Sequence, residues 1–300
     1  MSQLVSSTAN PFLTTYARGQ GFAVDPVADI IAPVVVVGSP RGQYKDWSDK
    51  NSFVIPSARR AIGGPAARIE FAGTDGTYFC KPRSLEIGID DEERGDGSLN
   101  IEEAKTAALL AQAGRARIEE VVDVAFGRAA DATPAWSTPS SGTPISDLNA
   151  QIEAIAIATG QMPTDIIFGI TAWRYFVAHN QVADRIKDGV VNPGSVTQAN
   201  LLLAPGIRLH VSASARDTTK PGVTASKASK MAGNVLLFVR QDNPSLYDAS
   251  WIKTFRTDRT GIGGVRMYRD ERNRSDILAL DWSEDIKITN SDGGRRLTVS

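Results

Sequence analysis

The sequence predicts a mixed α+β fold in which some parts cannot bury themselves alone. Three observations point there. Asn100 to Gly127 reads as one long helix with a thin apolar stripe. The regions from Gly42 to Ile89 and from Pro244 to Thr289 have strand character. Between them, Ile145 to Val239 alternates helical and strand patterns, the mark of a small α/β unit.

Residues 1 to about 40 are predicted to be an extended arm. Asn10-Pro11, Asp25-Pro26, Ala32-Pro33 and Ser39-Pro40 each bias the residue before proline away from helix. With little alternation to bury, such a segment needs another surface to lie across.

From Gly42 the pattern turns to strands with long polar interruptions. Arg68 to Phe71 and Thr77 to Phe79 flank Gly73-Thr74-Asp75-Gly76, where Asp-Gly favours a tight reversal. Arg59 and Arg60 lie beside Ile62 and two glycines. So polar a pair of strands predicts a ribbon reaching out from the body. An isolated ribbon is marginal in water, which makes a second molecule its expected cover.

Asp90-Asp91-Glu92-Glu93 follows Leu85, Ile87 and Ile89. In the helix after it, Ile101, Ala104, Ala108, Ala111, Ile118, Val122 and Ala125 recur at 3–4 spacing, with Arg115 as the one break. At 1.5 Å per residue that helix would be about 40 Å long, a spine for a flat plate.

Residues 131–144, DATPAWSTPSSGTP, have linker composition. Ile145 to Thr159 is then predicted as a helix closed by Gly160, and Asp165 to Ile170 as a short buried strand. Thr171 is the expected cap of the next helix, VADRIKDG a further helix ended by Gly189, and Ser195–Gln198 a capping box opening TQANLLLA. Ile207, Leu209 and Val211 alternate as a strand, and Asn234 to Val239 is another. In the tail, Trp251, Lys253 and Phe255 alternate with Ile252 and Thr254; Ile277–Leu280 and Ile286–Ile288 are separate strand candidates.

Composition narrows the function. The 300 residues are 42% hydrophobic and 22% charged with net charge −1, a folded soluble profile with no general attraction for nucleic acid. The single cysteine, Cys80, excludes an internal disulfide framework and fits a small buried side chain in a reducing compartment. No secretory leader is evident, and the run Ile30 to Val37 is far shorter than the roughly 20 residues of a membrane span. The chain is expected to be made in the cytosol.

Chemistry-bearing patterns are sparse. His179 stands at a predicted helix end, where a cationic ring would suit the terminal carbonyls, and His210 should point away from the core face of its strand. Neither they nor Cys80 has zinc spacing. No nucleophile elbow or phosphate loop is present; Gly261–Gly264 separates two strands and opens no helix. Asp90 to Glu93 could offer an acid/base pair, but consecutive acids point in different directions and suit a solvated helix start. Arg59-Arg60 and Arg295-Arg296 lack the interleaved aromatics of a nucleic-acid site and read as interchain ion-pair donors or solvated side chains. No cofactor, metal or catalytic residue is expected.

The order of parts resembles the major capsid protein of tailed bacteriophages, the Hong Kong 97-type fold. The local strings that carry the resemblance are Asp29 to Val37 leading through Gly42 and Tyr44, Tyr78 to Asp91, the long helix, Pro163 to Trp173, Val182 to Lys187, and Asn234 to Tyr247. Together they span about residues 25 to 290. The resemblance implies an N-terminal arm (1–40), an extended loop (41–88), a peripheral domain (89–130 and 244–300) and an axial domain (145–243). It implies hexamers and pentamers closing into an icosahedral shell around double-stranded DNA, with a portal and a decoration protein as further partners. Because the arm begins near Met1, scaffolding is expected to be a separate protein or to have been removed. Some relatives are joined by lysine–asparagine isopeptide bonds; Lys45 and Lys50 match no such pattern, so no crosslink is expected. Candidate contacts between subunits are Lys45, Arg59, Arg60, Asp90, Asp91, Glu92 and Arg115. The competing readings are an encapsulin shell, an enzyme using Asp90 to Glu93, and a phage decoration or tail protein.

Overall fold

The computed structural model describes residues 9–22, 26–46, 55, 58–60, 62–67, 74–95, 100–186, 203–220, 222–257, 262 and 264–300. The end of the predicted helix VADRIKDG from 187 on, the capping box Ser195–Gln198 with most of TQANLLLA, and the strand Arg68 to Phe71 lie outside these residues, as does Lys50.

The N-terminal segment departs from its extended prediction. It forms helix α1 (Pro11–Gln20) and a short α2 (Val27–Ile31). The reason is positional: Asn10 is an N-cap whose Oδ1 accepts the Leu13 N–H at 3.1 Å. Pro11 sits at the first turn, where its missing donor is no loss and its φ suits a helix. Asn-Pro thus starts a helix here. Leu13 and Ala17 are buried, in one core with Leu109, Leu110 and Val265, so residues 9–22 lie on their own body.

The larger sheet is built around β12 (Ser275–Ile288). The tail's two strand candidates are parts of this one long strand. β12 pairs antiparallel with β4 (Lys81–Asp90), β11 (Gly264–Asp270) and β10 (Ile252–Arg256), and β1 (Val34–Val36) adds parallel to β10. Helix α4 (Ile101–Phe126) crosses this sheet as one unbroken helix, about 39 Å long at 1.5 Å per residue.

The buried face of α4 matches the predicted seam in its second half, at Ile118, Val122 and Ala125, and departs from it in the first. Leu109, Leu110, Ala113, Arg117, Ile118, Val121, Val122 and Ala125 are inside, whereas Ala104, Ala108 and Arg115 are exposed. Each leucine gains about 1.5–3 kcal/mol on burial, far more than alanine. The first half of the helix therefore turns its leucines onto Ile89, Leu278 and Leu280, and the alanine row faces outward.

The ribbon is β2 (Arg41–Asp46) paired antiparallel with β3 (Thr74–Phe79) in register Arg41↔Phe79. Thr74 to Gly76, predicted as a turn, is strand; the chain reverses beyond Asp46. Tyr44 and Tyr78 stack on Phe255 at 5.3 and 4.6 Å between ring centroids. The residue opposite each tyrosine is glycine (Gly76 and Gly42), and a Cβ at either would run into the facing ring. Cys80 is buried beside this stack.

The α/β unit has a four-stranded sheet ordered β13 (Gly294–Thr298), β9 (Asn234–Phe238), β5 (Asp165–Gly169), β6 (Arg208–Ser212), and between β6 and β9 in the chain the short strands β7 (Arg216–Asp217) and β8 (Lys227–Ala228) pair with each other. Helices α5 (Pro144–Thr159), α6 (Ile170–Ala178) and α7 (Asn180–Ile186) cover one face through Leu148, Ile152, Ile155 and Phe176. On the other face Ile167, Leu236 and Phe238 share a core with Ile118, Val121 and Val122 of α4. Gly160 adopts the left-handed conformation that closes α5.

Three expectations are corrected in this unit. Strand β13, assigned with 244–300 to the peripheral part, pairs with β9. Residues 131–144 are not a free linker: Trp136 is buried with its Nε1 donating to Asp147 at 2.8 Å, and Thr298 donates its N–H to the Ala132 carbonyl. Thr171 lies inside α6, whose N-cap is Gly169 with no side-chain cap. His179 stands at the end of α6 as expected and is buried, its Nδ1 accepting the Gln181 N–H at 3.2 Å and its Nε2 lying 2.8 Å from the Ser141 carbonyl oxygen.

Candidate subunit interfaces

The ribbon brings the first group of candidates outward. Beyond the β2–β3 pairing, Arg59 and Arg60 are exposed, and Ile55 and Ile62 on either side of them are fully exposed. Isoleucine is among the residue types most often buried, and here two stand bare beside two cations. Lys45 lies nearer the body and is engaged within the ribbon, its Nζ 2.5 Å from Asp75 Oδ1.

The acidic run sits where β4 ends and α3 (Asp91–Gly95) begins. Asp90 Oδ1 accepts the Glu92 N–H at 2.9 Å. Asp91 takes both guanidinium nitrogens of Arg269, which hold its carboxyl below the usual carboxylate range. Glu93 pairs with Lys105 at 2.5 Å, and Arg94 bridges Glu102 and Asp276. Glu92 is exposed. Two of the four acids are committed to cations that tie β4, β11 and α4 together, so the run acts as a brace and presents no convergent pair of carboxylates.

Arg115 is exposed and borders a cleft of about 450 Å³ between α4 and the segment after β6. Ile118, Val211 and Ala213 line it, and Arg216 closes one side on Glu119 at 2.9 Å.

Two buried ionic clusters escaped sequence reasoning. Glu284 is fully buried and accepts Arg256 through Nε and Nη2 at 3.0 and 2.8 Å. Arg117 stands 3.2 Å away and reaches on to Asp29 at 2.6 Å. Burial, and next the charge of Arg117, push the Arg256 pKa down. The second cluster centres on Asp165, also fully buried, which is met by His210 and Arg208 at 3.0 Å each and by Thr164 at 2.8 Å, with Arg240 at 3.3 Å. Burial alone would raise its pKa; the hydrogen bonds from His210, Thr164 and Arg208 outweigh it, so the carboxylate titrates below its usual range. His210 is thus directed at a buried acid, a contact made by residues far apart in sequence. Its only trace in the chain is a charged residue opening an otherwise apolar strand.

Among the described residues no group of His, Cys, Asp and Glu is placed to hold a metal ion. Nor is any helix among them long and apolar enough to cross a membrane.

No family model matches the sequence, and no curated protein is similar to it. Solved structures do match. A phage-related protein from Bordetella bronchiseptica aligns over 97% of both chains at 18% identity with TM-score 0.73. The capsid structure of cyanophage P-SCSP1u aligns over 90% of this chain and 86% of that one, at 10% identity and TM-score 0.58. The SrpI encapsulin of Synechococcus elongatus aligns over 92% and 88%, at 10% identity and TM-score 0.54. The chain has the Hong Kong 97-type capsid fold.

Proposed function

We propose that this protein is a major capsid subunit that assembles as hexamers and pentamers into an icosahedral phage head. The observation that carries the proposal is likeness over nearly the whole chain to a phage-related protein and a phage capsid. Exposed Ile55 and Ile62 on the ribbon support it, because a subunit of a closed shell can cover them with a neighbour. Head-to-tail contacts close into rings, and obligate interfaces of that kind bury upwards of roughly 2,000 Å².

In this reading the ribbon is the extended loop of the fold, and the β12 sheet with α4 is the peripheral domain. The four-stranded sheet with α5–α7 is the axial domain, which gathers around the symmetry axes. Lys45, Arg59, Arg60, Asp90, Asp91, Glu92 and Arg115 are candidate contacts between subunits. The further partners are a separate scaffolding protein, a portal, a decoration protein and packaged double-stranded DNA held without sequence preference. The protein would be made in the bacterial cytoplasm and end in the virion, with a structural role and no catalysis.

A cargo-holding encapsulin shell is the second reading, favoured by the likeness to the Synechococcus encapsulin at TM-score 0.54. Electron microscopy of the purified protein tests both. Uniform polyhedra or capsomer rings support shell formation; dispersed monomers at high concentration contradict it. Particles from infected cells that carry DNA favour the phage head, and particles filled with one enzyme favour the encapsulin.

A further inference from the structure

Two surfaces towards opposite edges of the α/β sheet complement one another in charge and polarity. The first is the cleft beside Arg115. Its walls are Ile118, Val211 and Ala213, and its rim carries Arg115 and Arg216 with Glu119. Glu119 is shared between Arg216 at 2.9 Å and Lys230 at 3.9 Å. Among the described residues Arg115 has no ion-pair partner, so the rim holds an unanswered positive charge above an apolar floor.

The second surface is the outer side of α5. Asn149, Glu153 and Ile157 follow at four-residue spacing and are all exposed. That spacing puts them on one helix face. Ile157 is 76% exposed, and Met162 just beyond the helix is 47% exposed. Among the described residues Glu153 also has no ion-pair partner. This face offers an unanswered negative charge beside bare apolar side chains, the inverse of the cleft.

The sheet keeps the two apart. Helix α5 packs over β13 and β9, at one edge, and shares the core of that face. The cleft lies at the β6 edge, and its Ile118 belongs to the core on the other face. One chain cannot bring them together, but two copies can. A contact between different patches on identical chains is head-to-tail and builds a ring when its rotation closes.

We propose that the cleft between α4 and the segment after β6 receives the Glu153–Ile157 face of α5 from a second copy. Arg115 then pairs with Glu153 while Ile157 covers the apolar floor. This rests on the shell reading and names one of its contacts.

A charge-reversal cycle tests it, with sedimentation velocity and electron microscopy reading the assembled fraction. Both positions are exposed, so circular dichroism and melting should be unchanged in every variant. Arg115→Glu and Glu153→Arg should each lower assembly about tenfold or more, since like charges in a contact are strongly unfavourable. The double variant should recover assembly to within about threefold of the unaltered protein, as a coupled pair requires. Single variants that assemble normally would overturn the pairing and leave the shell reading intact. So would a double variant as defective as the singles, or an Arg115→Glu defect without one at Glu153, which would point to a different protein in the cleft. Failure of the unaltered protein to assemble would instead remove the shell reading itself.

Discussion

Arg256 and Glu284 face each other across paired strands, in register and entirely inside the protein. The spine helix adds Arg117 to the same carboxylate oxygen. One acid therefore joins the central strands to the helix laid across them, and Arg117 extends the link to Asp29 of α2.

Removing that acid should be severe. Glu284→Ala leaves two buried guanidinium groups without their shared partner, a change that typically costs about 3–5 kcal/mol. Urea unfolding under conditions that prevent assembly measures it. A loss below about 1 kcal/mol would mean that water or other acids replace Glu284.

Gly169 should not tolerate a side chain. It caps α6 at the end of a fully buried strand, and a Cβ there would stand 1.8 Å from the Met231 carbonyl oxygen. The obstacle is backbone, so the strand or the 231 segment must move. Gly169→Ala is expected to destabilise by at least about 1–3 kcal/mol, read as a lower melting temperature. An unchanged melting curve would contradict the packing described here.

Asp165 predicts a pH effect with a definite sign. Its folded pKa is depressed, so the stability it contributes is complete above about pH 4, the ordinary carboxylate value. That contribution is lost as pH falls through the lower folded value. Asp165→Asn should weaken the loss of stability below about pH 4. It should not abolish it, because Asp131, Asp248 and Asp281 are depressed as well. Identical acid limbs for both proteins would show that the cluster of His210, Arg208 and Arg240 does not hold the acid ionised.

Assembled particles should contain no covalent links between subunits. Lys45 is paired with a carboxylate on its own ribbon and matches no isopeptide pattern. A boiled denaturing gel should show one monomer band. A ladder of multiples would contradict this.

Local chemistry was readable wherever short-range rules decide the outcome. Gly160 ends α5, the apolar runs at Asp165 and Asn234 are buried strands, and the long helix is continuous. What the chain hid was set by tertiary contacts. Asn10-Pro11 reads equally as a helix breaker and a helix start, and only the packing of Leu13 and Ala17 decides. The alanine row on α4 has the better periodicity, but Leu109 and Leu110 have the larger surface to bury. Trp136 lies in a stretch of linker composition, yet it is a core residue because strand β13 arrives beside it from the far end of the chain. The Glu284 and Asp165 clusters join residues scattered through the sequence, so no spacing announces them. The exposed candidates were legible as residue types, but only the fold separates Arg59 and Arg60, which are exposed, from Asp91, which is bound to Arg269.

The central claim is that a neighbouring copy covers the ribbon, and trypsin tests it most directly. Dissociated subunits should be cut after Arg59 and Arg60, which stand exposed. Assembled particles should be protected at both sites while cleavable elsewhere. Equal cleavage of these bonds in subunits and particles would mean that the ribbon meets solvent in both, and the proposed shell contact would fail.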